Sequence, residues 1–173
     1  MEKSGKLLIL AILAIALTSG VFSWWFRWSA TRRVAAFWGP EVTTIIRDAQ
    51  RVEAYRLAPD GIETDQTLSA GKREYPVEKR IDASQGHGLV HLKQALLEDR
   101  SYDWEASVVH DELIPRWALM FHPPAAQVLG TPVILLFDDA CERAIEPESR
   151  RTIDCKPIAS GIKSVLAEWL SAE

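Results

Sequence analysis

The sequence predicts an α+β protein: one N-terminal transmembrane helix, then one small domain whose antiparallel sheet is covered by two or three helices. Three observations predict it. Residues 7–26 read LLILAILAIALTSGVFSWWF and carry no charge. The runs WALMF (117–121) and VILLF (133–137) are short, apolar and bounded by proline and glycine. Near the C-terminus, Ile158, Ile162, Val165, Leu166, Trp169 and Leu170 fall on one face of a helix.

The apolar run comes first. At about 1.5 Å per residue, a helix of this length crosses a hydrocarbon core of about 30 Å. Trp24, Trp25 and Trp28 cluster at its far end, where tryptophan favours a membrane interface, and Arg27, Arg32 and Arg33 form a basic collar. The expected organisation is a short tail (1–6), an anchor (7–26), a juxtamembrane collar (27–39) and a single α+β domain (40–173). The expected location is a single-pass membrane protein with a signal-anchor, the lipid bilayer being the partner of residues 7–26. A cleaved signal peptide ending at Ala14-Ile15-Ala16 is the competing reading, but apolar sequence continues to Phe26. Lys3 and Lys6 on one side nearly balance the three arginines on the other, so the positive-inside rule barely discriminates. The short N-terminal tail points to an extracytoplasmic domain. Ala16 and Gly20, like Ser19 and Ser23, are small residues one turn apart that permit close helix approach.

Beyond the anchor, Gly39-Pro40-Glu41 is a helix start, with Val42, Ile45, Ile46 and Ala49 on one face. Residues 51–57 (RVEAYRL) form a plausible strand, although neither face is cleanly apolar. Pro59-Asp60-Gly61 opens a long polar stretch to residue 83, with one more strand at 75–81. Gln85 to Glu98 reads as a helix with Leu89, Leu92 and Leu96 on one face. The two apolar runs read as antiparallel neighbouring strands, and residues 142–146 and 151–155 as a hairpin.

Of the 20 basic and 24 acidic residues, five basic and one acidic lie within residues 1–33, leaving 15 against 23, a balance of −8. A domain this acidic is repelled by phosphate backbones, so no nucleic-acid partner is expected. No glycine-rich phosphate loop, CxxC pair or dinucleotide fingerprint occurs, and no cofactor is expected.

Three polar clusters deserve weighing. His87 and His91 sit four apart on the expected helix, with Glu98 two turns on, a donor set suited to zinc or iron. The run HGLVH lacks the glutamate of helical zinc proteases, and a solvated polar face explains it as well. Asp138-Asp139 ends an apolar strand, a setting used for metal or phosphoryl chemistry, yet adjacent residues of a strand face opposite ways. His110-Asp111-Glu112 has no serine or cysteine in a nucleophile motif beside it.

Cys141 and Cys155 bracket the hairpin and form a possible disulfide. If Glu146 pairs with Arg151, Cys141 faces Lys156 and Cys155 faces Glu142, one step out of register. The expectation is therefore a small non-enzymatic binding or assembly domain at a membrane, with a protein partner. One alternative is a metal-dependent hydrolase using His87, His91 and Glu98, or Asp138 and Asp139. The other is an accessory subunit of a membrane complex.

Overall fold

The computed structural model describes residues 2–171 except 60, 63, 106–112, 125–129 and 149; for 2–8, 10, 11 and 27 only the backbone is described. The chain opens with a long helix, α1 (Glu2–Trp38), and turns at Gly39 into α2 (Pro40–Asp48). Among the described residues seven strands follow: β1 (Val52–Leu57), β2 (Thr67–Ala70), β3 (Arg73–Asp82), β4 (Trp117–Phe121), β5 (Val133–Phe137), β6 (Arg143–Glu146) and β7 (Arg151–Asp154). Helix α3 (Leu89–Leu96) sits between β3 and β4, and α4 (Ala159–Ser171) closes the chain.

All strand pairings are antiparallel, in the order β2-β3-β1-β4-β5-β6-β7. The two continuous apolar runs lie side by side at the centre, β4 between β1 and β5, and contribute to cores on both faces of the sheet. On one face, Val52, Ala54, Leu119, Phe121, Leu135 and Phe137 meet the helices in the main core. On the other, Tyr55, Leu57, Val77, Ala118, Leu136 and Leu113 form a second, smaller core. The sheet curls into a half-barrel whose terminal hairpins meet. A Cβ at Gly71, in the β2–β3 turn, would lie 2.9 Å from the carbonyl oxygen of Pro147 in the β6–β7 turn. Gly71 also has φ +62°, so both the turn and the contact require glycine.

The antiparallel sheet and its covering helices follow the sequence reading; the transmembrane helix does not. Among the described residues, no helix is long and apolar enough to cross a membrane. The expectations of a single-pass anchor at 7–26, of a signal-anchor, of a membrane location and of an extracytoplasmic domain are corrected accordingly. The physical reason lies along α1. Thr18, Ser19, Gly20 and Ser23 interrupt the aliphatic residues, and Trp24, Trp25 and Trp28 are amphipathic. The helix then runs unbroken into a turn bearing Arg32 and Arg33 that belongs to the domain.

That second half of α1 is held firmly. Val34 and Trp38 are buried in the main core, with Phe37 packed against it. Trp38 Nε1 donates to Tyr102 Oη at 3.4 Å, and Tyr102 Oη donates to the Leu96 carbonyl at 2.6 Å. Arg151 donates to the Phe37 carbonyl.

Candidate functional site

Sequence alternation along β1 sets one site. In an extended chain Arg51, Glu53 and Tyr55 share a face, here the face away from the helices. Pairing places Arg80 of β3 opposite Tyr55, and His122, just past β4, donates its N–H to the Arg51 carbonyl at 3.0 Å. Four polar residues thus converge on the carboxylate of Glu53, which is only 2% exposed. Glu53 Oε1 accepts from Arg51 at 2.7 Å and Arg80 at 2.9 Å, while Oε2 accepts from Tyr55 Oη. His122 Nε2 lies 3.4 Å from Oε1, buried and without a hydrogen-bond partner among the described residues.

The electrostatics follow. Burial alone would raise the Glu53 pKa, but donors from Tyr55, Arg80 and Arg51 outweigh it and hold the carboxyl at about 2. Burial and the bond to Glu53 raise the Tyr55 phenol well above its ordinary value. Tyr55 is therefore a fixed donor, and Glu53 a fixed acceptor. The cluster locks charge in place.

The residues singled out in the sequence fall elsewhere. His87 precedes α3 and is exposed, and its carbonyl accepts from Trp169 Nε1 at 2.9 Å. A Cβ at Gly86 would lie 2.6 Å from that same indole nitrogen, so the Gly86-His87-Gly88 turn is the seat of Trp169. His91 is exposed on α3. Glu98 lies beyond that helix, bonded to Arg100 and accepting from Gln94 Nε2 at 3.0 Å. The three do not share a helical face, because α3 begins only at Leu89 and ends at Leu96. Among the described residues, no three His, Cys, Asp or Glu side chains gather as a metal site.

Asp138 Oδ1 accepts the backbone N–H groups of Glu142 (2.8 Å) and Arg143 (3.3 Å), capping the turn into β6. Asp139 is exposed, 3.5 Å from Lys163. His110, Asp111 and Glu112 lie outside the described residues. Cys141 and Cys155 are free thiols, both buried in the main core. The hairpin pairs Glu146 with Arg151, and Cys155 N–H donates to the Glu142 carbonyl at 2.6 Å.

Of the expected interface residues, Trp24, Trp25 and Trp28 are exposed on α1, and the Arg32 guanidinium stacks 5.1 Å over the Trp28 ring. Nothing is described for the Arg27 side chain. Arg33 contributes its backbone N–H, which donates to Asp99 Oδ2 at 3.0 Å.

The first half of α1 is the other unusual feature. From Ile12 to Phe26 every described side chain is exposed, on all sides of the helix. Its large apolar side chains range from 50% exposed at Trp28 to 68% at Trp24. A helix apolar all round is normally a buried one. At its base a groove of about 950 Å³ separates it from α3, with Trp24, Trp28, Val90 and Leu97 among its walls.

Sequence reasoning missed the Glu53 cluster. The spacing R-x-E-x-Y was visible and would have placed three polar side chains on one strand face. Arg80 and His122 were beyond it, because only sheet register brings them there. Comparison of the chain with protein-family models, with curated proteins and with solved structures finds no match.

Proposed function

We propose that this protein is a non-enzymatic assembly module that associates with a second copy of itself through the apolar half of α1. One observation carries the reading: an apolar arm, exposed on every side, extends from a helix whose other half is fixed to the domain. Such a surface is stabilised by about 25 cal/mol for each Å² removed from water. The groove between the arm and α3 adds Val90 and Leu97 to that surface, beside Lys93, Gln94 and Glu98. Two copies can exchange these contacts reciprocally, as a two-fold interface requires. A Cβ at Gly20 would meet nothing within 4 Å, leaving that side of the helix open to close approach.

Sedimentation velocity of the full chain over a concentration series tests this. A concentration-dependent dimer or small oligomer is expected. Val90 is 75% exposed in the single chain, so Val90→Glu should leave the fold intact and weaken association at least tenfold. A monomer at every concentration would overturn the reading, as would self-association unaffected by Val90→Glu. So would a monomer that instead floats with phosphatidylcholine vesicles, since the arm would then be covered by lipid.

A further inference from the structure

We propose that Cys141 and Cys155 are a redox pair, oxidised to a disulfide that ties the β5–β6 turn to the segment leading into α4. Strand register alone would keep the two apart. The pairing of Arg143 with Asp154 continues to Glu142, whose carbonyl accepts the Cys155 N–H at 2.6 Å. Along a regular strand Cys141 would then point away from Cys155. Instead Cys141 stands in the turn before β6 with φ +57°, a left-handed conformation uncommon for a residue with a side chain. That bend turns its side chain inward and leaves Glu142 exposed. Both cysteines are 0% exposed in the main core, on the helix-covered face that Ala144 and Ile153 also occupy. After burial, the nearby charges that raise the Cys155 thiol are those of Asp154, Asp138 and Cys141 itself. The chain has only these two cysteines, so each has one possible partner within the molecule.

The reaction is thiol–disulfide exchange with a small disulfide such as glutathione disulfide. One cysteine thiolate attacks the glutathione S–S bond; a mixed disulfide forms and one glutathione thiolate leaves. The second cysteine thiolate attacks the cysteine sulfur of that mixed disulfide. The Cys141–Cys155 bond forms and the second glutathione leaves. In sum the protein gives up two electrons and two protons, and glutathione disulfide becomes two glutathione thiols. Burial confines both steps to chains opened at the β6–β7 hairpin, because a thiol in apolar surroundings does not ionise readily. The folded core then keeps whichever state it closed on. The bond also encloses the whole β6–β7 hairpin in a loop, which restricts the unfolded chain and so favours the folded one.

The pair lies in the core, apart from the arm on α1, so its test does not depend on self-association. The full chain is equilibrated in glutathione buffers of graded oxidant ratio, once without denaturant and once in concentrated urea. Each equilibrium is approached from the oxidised and from the reduced side. Free thiols are then alkylated in denaturant and the products are identified by mass spectrometry. An intramolecular Cys141–Cys155 disulfide is expected, half formed in the folded protein at an oxidant ratio at least tenfold lower than in the unfolded chain. By linkage, the same factor should appear as a smaller unfolding constant of the oxidised protein. Ratios that coincide or reverse would overturn the inference, since folding would then not favour the bond. Cysteines that end as glutathione adducts, or as crosslinks between chains, would overturn it equally.

Discussion

The carboxylate of Asp99 accepts the backbone N–H of Val34 at 2.8 Å and that of Arg33 at 3.0 Å, inside a continuous helix. A side chain from a 3-10 turn (Asp99–Ser101) thus enters the hydrogen-bond ladder of α1, as an N-cap would. It divides the helix functionally. Residues after the contact belong to the core; residues before it form the arm. The same residue receives Trp104 Nε1 on its own carbonyl at 2.7 Å, which fixes the turn.

Removing that carboxylate should loosen the arm's base. Asp99→Ala is expected to cost about 1–2 kcal/mol, the usual range for a lost cap. Amide exchange at Arg33 and Val34 should accelerate, while Asp99→Asn should keep part of the protection. Unchanged exchange at both amides would mean that the helix ladder alone protects them.

Glu53 should make the domain acid-sensitive in a defined window. Its folded pKa is depressed to about 2 against an ordinary value of 4.5. A depressed carboxylate contributes stability that is full above 4.5 and lost as pH falls towards 2, about 3 kcal/mol in all. Glu53→Gln should flatten the stability curve in that window and lower stability at neutral pH. Tyr55→Phe should remove one donor, raise the Glu53 pKa and shift the acid transition upward. Urea denaturation at a series of pH values measures both. A wild-type curve with no slope between pH 4.5 and 2 would refute the assignment.

At Gly86 the prediction is steric. Any Cβ there meets the indole of Trp169 at 2.6 Å and the Ala83 carbonyl oxygen at 3.0 Å. Gly86→Ala should displace Trp169, break its bond to the His87 carbonyl and cost about 1–3 kcal/mol. Near-ultraviolet circular dichroism should report the loss of the fixed tryptophan. A spectrum and stability like those of the parent would show that the turn yields freely.

The two cysteines should be chemically silent until the protein unfolds. Burial pushes the Cys141 thiol up to about 12 and raises that of Cys155 as well. The thiolate is the reactive form, so a neutral-pH thiol reagent should modify neither in the native state and both in denaturant. Rapid native labelling of either would show that the core around β6 and β7 opens readily.

Much of the fold could be read from local pattern. The continuous apolar runs gave β4 and β5, and the stripe from Ile158 to Leu170 gave α4, because side-chain period is a local consequence of backbone geometry; β1 was read as a strand although neither of its faces is cleanly apolar. The hairpin register at Glu146 and Arg151 was legible for the same reason. Strand β2 was not, since TLSA is short and polar-flanked and forms only against β3. The His87, His91 and Glu98 set was read as helical because spacing alone cannot see that Trp169, 82 residues away, occupies the Gly86-His87-Gly88 turn. The long apolar run was read as a span because composition does not say where a helix is tied. Asp99, more than sixty residues on, fixes that point. What the sequence by itself determined were most of the elements and the buried faces of the strongly patterned ones, which depend on near neighbours. The tertiary structure alone decided the Glu53 cluster, the base of the arm and the contact between the terminal hairpins, because each is assembled by register and packing between distant segments.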